Sequence, residues 1–195
     1  MNLGSPAIKA GCAWCETNIV APSTFQAAIA VNWISFTKAE LMAVLTAVTT
    51  LPSDCTVYIY TDSKALIDKF HMIQSLSSSY FDHTRPNLKD TYVSLWFILF
   101  TYIQQHNLSV TLHKVKAHNN NYWNEQTDQL AKKACDLSSP ITSLISDWFG
   151  ITPMYNSTAI MIPLRPFLKN ITQAQGFYKF ITLWRNTKYR YLDIA

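Results

Sequence analysis

Residues 37–67 read TKAELMAVLTAVTTLPSDCTVYIYTDSKALI, and this stretch decides the fold class. Its first half places apolar residues at helical spacing, with Leu41 and Leu45 on one face. A short run rich in β-branched and aromatic residues then leads to Asp62, and a second amphipathic pattern begins directly after it. A helix, a strand and a helix in succession are typical of α/β folds built in layers.

The first helix of this stretch opens with a capping signal. Thr37 stands three residues before Glu40, which is the spacing of a capping box. We therefore predict that Thr37 caps the helix and that Glu40 reaches back to the backbone of the cap.

The alternation of elements continues outward in both directions. Two strands are predicted upstream, over residues 7–17 and 25–33, and Gly11 inside the first indicates a bulge or a close backbone contact. Downstream, the pattern predicts a buried helix, a strand and a final helix capped at its N-terminus, over residues 88–105, 109–116 and 124–135. The whole pattern predicts an α/β sheet flanked by helices.

Composition fits a folded domain with a modest extension. Of the 195 residues, 49% are apolar and only 14% are charged, which argues against extensive disorder. The most apolar run, residues 92–103, is shorter than the roughly 20 residues that a membrane span needs. Because no signal peptide is evident and the four cysteines suggest thiols, we expect an intracellular protein of the nucleus or cytoplasm with no membrane partner.

Positive charge concentrates at the C-terminal end. Residues 1–138 carry ten Lys/Arg and ten Asp/Glu, whereas residues 139–195 carry six and two. We predict one domain over residues 1–138 and a basic, aromatic-rich, partly helical extension over residues 139–195. Basic residues among aromatic ones suit nucleic-acid contact, but they equally suit an amphipathic helix packed on the core or on a lost following domain, and we favour packing.

Three carboxylates, Glu40, Asp62 and Asp128, stand at the ends of predicted elements. Each also has a simple structural explanation: Glu40 as part of the capping box, Asp62 as a helix cap and Asp128 as compensation for a helix dipole. Together they indicate more, because hard divalent cations bind several oxygen ligands that converge from different elements.

Three segments in a fixed order carry a family resemblance. They are residues 37–44 (TKAELMAV), 59–65 (IYTDSKA) and 115–131 (VKAHNNNYWNEQTDQLA). In order and spacing they resemble the ribonuclease H family, particularly its retroelement-associated branch. The resemblance spans roughly residues 7–137.

The resemblance implies both a fold and a reaction. The fold is a mixed β-sheet flanked by helices. The reaction is hydrolysis of the RNA strand of an RNA–DNA hybrid with two Mg²⁺ ions, or Mn²⁺ in their place. By motif, the metal ligands would be Glu40, Asp62 and Asp128, an oxygen-rich set that suits two-metal hydrolysis.

Further residues are implied by the same motifs. His118 matches the family's mobile histidine, whose role would be proton transfer or product release. Ser63, Asn119 and Asn121 are weaker candidates for contacts to phosphate and sugar. The expected partners are an RNA–DNA hybrid or another nucleic acid, together with other domains of a retroelement polyprotein.

One part of the family pattern has no counterpart. The family begins with a central strand that carries Asp-Gly-Ser, and the only acid before Glu40 in this chain is Glu16. We therefore expect an N-terminally truncated copy with little or no magnesium-dependent cleavage. The alternative function is a catalytically inactive, nucleic-acid-binding remnant. An integrase- or exonuclease-like relative fits less well, because a histidine loop precedes the final helix.

Overall fold

The computed structural model describes residues 9–17, 23–30, 35–76, 79–82, 90–116, 121–137, 154–155 and 158–183. Its elements are, in chain order, β1 (Lys9–Cys15), β2 (Thr24–Ala30), α1 (Phe36–Val48), β3 (Thr56–Thr61), α2 (Lys64–Leu76), α3 (Ser79–Asp82), α4 (Val93–Gln105), β4 (Ser109–Lys114), α5 (Tyr122–Ala134), β5 (Met154–Tyr155), β6 (Thr158–Ala159) and α6 (Leu164–Thr182). The predicted α/β class is confirmed.

The strands pair two by two. β1 and β2 are antiparallel, as are the short strands β5 and β6. β3 and β4 are parallel, with Thr61 opposite Lys114, because a helical crossover connects them. We expected a mixed sheet without the family's central Asp-Gly-Ser strand, and among the described strands the pairs are separate, because none of them hydrogen-bonds to both β1 and β3.

Helix α1 forms the centre of the core. Its buried apolar side chains are Leu41, Met42, Val44, Leu45 and Val48. The predicted capping box is wrong, because the cap is Ser35, whose Oγ accepts the backbone N–H of Lys38 at 3.1 Å. Glu40 is therefore not engaged at the cap and is available for another contact.

Two later helices begin at other residues than predicted. α4 begins at Val93 because Tyr92 has a left-handed φ of 57°, which interrupts a helix, and its N–H donates to the Met161 carbonyl at 2.9 Å. α5 begins at Tyr122 because the Asn121 side chain accepts the N–H groups of Trp123 and Asn124, at 3.1 and 3.2 Å. The cap is therefore Asn121, three residues before the predicted start of this helix at residue 124.

Gly11 marks a close approach between β1 and α5. A Cβ added there would lie 1.6 Å from the carbonyl oxygen of Ala131. Nearby, the Cys15 Sγ lies 3.2 Å from the Thr127 hydroxyl. The predicted close backbone contact is confirmed, and it fixes the helix that carries Asp128.

Two further sequence-based expectations concern the state of the cysteines and the presence of a membrane-spanning helix. Cys12, Cys15, Cys55 and Cys135 are free thiols, and Cys12 is buried. Among the helices described, none has both the length and the apolar character of a membrane span.

Asp90 ties α2 and α3 to the start of α4. Its carboxylate accepts hydrogen bonds from the Lys69 ammonium and the Tyr80 hydroxyl, and from the Thr91 N–H at 2.8 Å. Burial favours the neutral acid, but the bonds from Lys69 and Tyr80 outweigh it, so the pKa of Asp90 is lowered. Asp90 is therefore a charged anchor for these helices.

We expect Asp90→Asn to lower the free energy of unfolding at pH 7 by about 1–3 kcal/mol, since it removes charge-assisted hydrogen bonds. A lowered folded pKa means that this stabilisation is present above the unfolded value of about 3.9 and is lost as pH falls through the folded pKa. Urea unfolding at pH 7 and at lower pH measures both effects. An equal loss at every pH would contradict the charge argument.

Candidate active site

Glu40 contacts the end of β3. The Thr61 hydroxyl donates to the Glu40 Oε2 at 3.2 Å, and Thr61 is only 6% exposed. The Thr61 Oγ1 also accepts the Ser63 N–H at 3.1 Å. A buried threonine thus joins the helix that carries Glu40 to the turn that carries Asp62.

The charges of the other two predicted acids, Asp62 and Asp128, act on the Glu40 carboxyl group. Burial of the carboxyl group raises its pKa, and the negative charge of Asp62 raises it further. Asp128 acts in the same direction, while the Thr61 hydrogen bond and the Lys114 charge oppose the rise. Residues from α1, the end of β3 and α5 therefore share one electrostatic environment.

Lys114 was missed by the sequence analysis, as was Thr61. The Lys114 ammonium donates to the backbone carbonyl of Asp62, and Lys114 is the parallel register partner of Thr61. The available signal was their position, since Thr61 directly precedes Asp62 and Lys114 lies near the end of a predicted strand. A cation held there reduces the repulsion among the acids.

The carboxylates of Glu40, Asp62 and Asp128 are chemically suited to bind a hard divalent cation. All three side chains offer carboxylate oxygens, and the repulsion that raises the pKa of Glu40 is what a bound cation relieves. Within the described ranges, however, no three His, Cys, Asp or Glu side chains lie close enough together to hold an ion. The carboxylates interact at a longer range than a coordination shell.

The weaker candidates are engaged in helix starts where they are described. The Ser63 Oγ accepts the Leu66 N–H at 3.4 Å near the start of α2, and the Asn121 side chain caps α5. His118 and Asn119 lie outside the described residues, so their roles stay predictions.

Comparison with known proteins decides the family. The sequence model of the RNase H family matches residues 5–136, which is more than half of the chain. The chain belongs to the RNase H family. The predicted family resemblance is confirmed, and the match includes Glu40, Asp62 and Asp128.

Individual relatives of this RNase H family member are bacterial. The chain is 30% identical over 100 residues to ribonuclease H of Chlorobium phaeobacteroides strain DSM 266 / SMG 266 / 2430. The matched stretch covers 50% of this chain and 66% of that relative. It is 34% identical over 100 residues to ribonuclease H of Prosthecochloris aestuarii, with the same coverage. The chain thus spans just under two thirds of the length of these relatives.

A solved structure is similar at low identity. It is the prototype foamy virus protease-reverse transcriptase, with 15% identity, a TM-score of 0.43, and coverage of 67% of this chain and 20% of that one.

We expect Glu40→Gln to stabilise the metal-free protein at pH 7 by about 0.5–2 kcal/mol, because it removes a repelled carboxylate and keeps an acceptor for Thr61. A raised folded pKa means that the contribution of Glu40 is favourable below the unfolded value of about 4.3 and is lost as pH rises through the folded pKa. Urea unfolding in EDTA at pH 4 and pH 7 measures this difference.

The matched control for this prediction is Glu125→Gln in the first turn of α5, where Glu125 is exposed. Removing a favourable dipole partner there should be neutral or slightly destabilising. A Glu40→Gln protein that is less stable than the parent at pH 7 would show that the ionised carboxylate stabilises the fold.

Proposed function

We propose that this RNase H family protein hydrolyses the RNA strand of an RNA–DNA hybrid by a two-metal mechanism. The observation that carries the proposal is that Glu40, Asp62 and Asp128 all lie within the RNase H family match, with Glu40 joined to the end of β3 by the Thr61 hydroxyl at 3.2 Å. Burial and the charges of Asp62 and Asp128 also raise the pKa of Glu40. Mutually repelling carboxylates are costly to a fold. The placement of these three carboxylates near one another, on three different elements, is explained if together they bind a cation.

Glu40, Asp62 and Asp128 would hold the Mg²⁺ ions, with Mn²⁺ as a substitute. When bound, such ions activate a water molecule and neutralise charge on the leaving oxygen. The protein's own part is to orient these ligands. Thr61 holds the Glu40 carboxylate by its hydroxyl, and Lys114 holds the Asp62 backbone.

The remaining predicted residues would serve the substrate. His118 is proposed to transfer a proton or to assist product release, since an imidazole changes charge near neutral pH. Ser63, Asn119 and Asn121 are proposed as contacts to phosphate and 2′-hydroxyl groups. We also propose a retroelement-type origin, with residues 1–138 as the catalytic domain and residues 139–195 as its extension.

Cleavage of strand-labelled duplexes tests the proposal. The full chain is incubated with an RNA–DNA hybrid, an RNA duplex and a DNA duplex over a titration of Mg²⁺. Contrary to the sequence-based expectation of little or no cleavage, the proposal predicts cleavage of the RNA strand of the hybrid only, dependent on the cation and absent in EDTA. Cleavage of the DNA duplex, or cleavage that persists in EDTA, would contradict it.

A catalytically inactive, nucleic-acid-binding remnant is the second candidate function. It is favoured by the spacing of the carboxylates, which in the described part of the chain do not gather into a ligand set. Such a protein would bind hybrid in a salt-dependent way without cleaving it. Hybrid binding measured beside the cleavage assay separates the two candidates.

A further inference from the structure

The C-terminal helix α6 has one face without apolar side chains. Its buried residue is Phe167, which is 5% exposed and packs edge-on against Tyr155, with ring centroids 5.4 Å apart. Ile171 is partly buried on the same side. This contact joins α6 to β5, which belongs to the extension itself. Packing of the helix on the core stays a prediction.

The opposite side carries the positive charge. Arg165, Lys169 and Lys179 are separated by four and ten residues, and Thr172 and Gly176 fill the positions between them at helical spacing. With 3.6 residues per turn, these five residues fall within a sector of about 80° that points away from Phe167. All five are exposed. We call this set the basic stripe.

Among the residues that the structure describes, no carboxylate pairs with a cation of the basic stripe. Residues 148–192 contain no Asp or Glu. Across the described parts of the chain, the ion pair is that of Lys69 with Asp90, and none of the three cations of the stripe takes part in one. The stripe is thus a row of solvated cations, and it complements a row of negative charges.

The dimensions of the basic stripe match a nucleic-acid strand. Its cations span 14 residues, or about 21 Å at 1.5 Å per residue, which equals roughly six steps of 3.4 Å along one strand. Gly176, three residues before Lys179, has open space where a Cβ would be, so the stripe carries no side chain there. A glycine at such a position allows another backbone to approach closely.

We propose that the basic stripe of α6 binds the phosphate backbone of a nucleic acid, as a contact surface separate from the carboxylate site. Of the exposed aromatic residues on α6, Phe177 and Tyr178 lie off the stripe by helical spacing, whereas Phe180 lies at its edge beside Lys179. The cations of the stripe contact phosphates, which carry no base information, so binding through them depends little on base sequence. The inference rests on the proposed function only in taking a nucleic acid as the occupant.

The test is fluorescence anisotropy of a labelled RNA–DNA hybrid, and of a labelled DNA strand, against salt concentration. All proteins carry Asp62→Asn and all samples contain EDTA, so that neither metal nor cleavage contributes. The variant Arg165→Gln/Lys169→Gln/Lys179→Gln removes the stripe. Because each phosphate contact contributes about 0.7–0.9 to the slope of log K against log salt, we expect the slope to fall by about 2–3 units.

A charge-matched variant separates the stripe from net charge. It combines the same three substitutions with Asn170→Lys, Gln173→Lys and Gln175→Lys, which are exposed positions off the stripe. Net charge is restored, but the cations no longer form one row. We expect this variant to bind as weakly as the neutral one, with circular dichroism confirming that both remain folded.

Three outcomes would overturn the inference. The first is wild-type affinity in the charge-matched variant, which would mean that net charge alone is responsible. The second is an unchanged slope in the neutral variant. The third is stripe-dependent binding to vesicles that contain phosphatidylserine without binding to the hybrid, which would assign the surface to anionic lipid. Failure of cleavage in the separate activity assay leaves the result intact, because binding is measured without metal.

Discussion

Any Mg²⁺-dependent cleavage of an RNA–DNA hybrid is expected to fall by at least about 100-fold when Asp62 is replaced with Asn. Metal-bound charge stabilisation contributes several kcal/mol to such a reaction, and each 1.36 kcal/mol corresponds to a factor of ten in rate. The substitution keeps the size of the side chain but removes the negative charge that acts on Glu40. Initial rates on a labelled hybrid at saturating Mg²⁺ measure the loss.

The matched control is Asp68→Asn on α2, where Asp68 is exposed. It makes the same chemical change six residues further along the chain, outside the group of acids that act on Glu40. We expect its cleavage rate and its free energy of unfolding to remain close to those of the parent. Equal losses in both variants, or full activity in Asp62→Asn, would remove Asp62 from the proposed site.

Replacing Gly11 with Ala is expected to be the most damaging structural change. The new Cβ would lie 1.6 Å from the Ala131 carbonyl oxygen, so backbone must move. Overpacking costs about 1–3 kcal/mol and sometimes more, and a backbone contact this close places Gly11→Ala at about 3 kcal/mol or above. Because α5 carries Asp128, any hybrid cleavage should fall as well. Urea unfolding and the cleavage rate measure the two effects.

Gly176→Ala on α6 provides the control, since the same substitution there meets nothing within 4 Å. Alanine is favoured over glycine inside a helix by about 0.5–1 kcal/mol. The two glycine substitutions should thus change the free energy of unfolding in opposite directions. If Gly11→Ala were as stable as the parent, β1 and α5 would have to be further apart than described.

Much of the local structure could be predicted from periodicity. The apolar spacing of α1 and the strand character of β3 are local patterns, and both elements were found within a few residues of their predicted bounds. Helix starts were predicted less well. Ser35 and Asn121 cap their helices, although Thr37 and Asn124 are also residues that cap well. Composition alone does not distinguish neighbouring candidates, because the backbone conformation selects the cap.

The residues of the candidate site also fall into those that could be predicted from the sequence and those that could not. Glu40, Asp62 and Asp128 were selected from the sequence because each ends an element and because their motifs resemble a known family. Thr61 and Lys114 were not selected, since nothing in a local pattern says that a strand-end hydroxyl will meet a carboxylate 21 residues away. Their roles depend on how the elements pack.

The sequence by itself determined the α/β class, the family and the three acidic positions, because these follow from short-range periodicity and from motifs within single elements. The tertiary structure alone decided which groups meet. It brought the charges of Asp62 and Asp128 to bear on a half-buried Glu40, placed Ala131 against Gly11, and left the basic stripe of α6 facing solvent. The physical reason is that burial and electrostatic interaction depend on distances between elements, and those distances are set by packing of the whole chain.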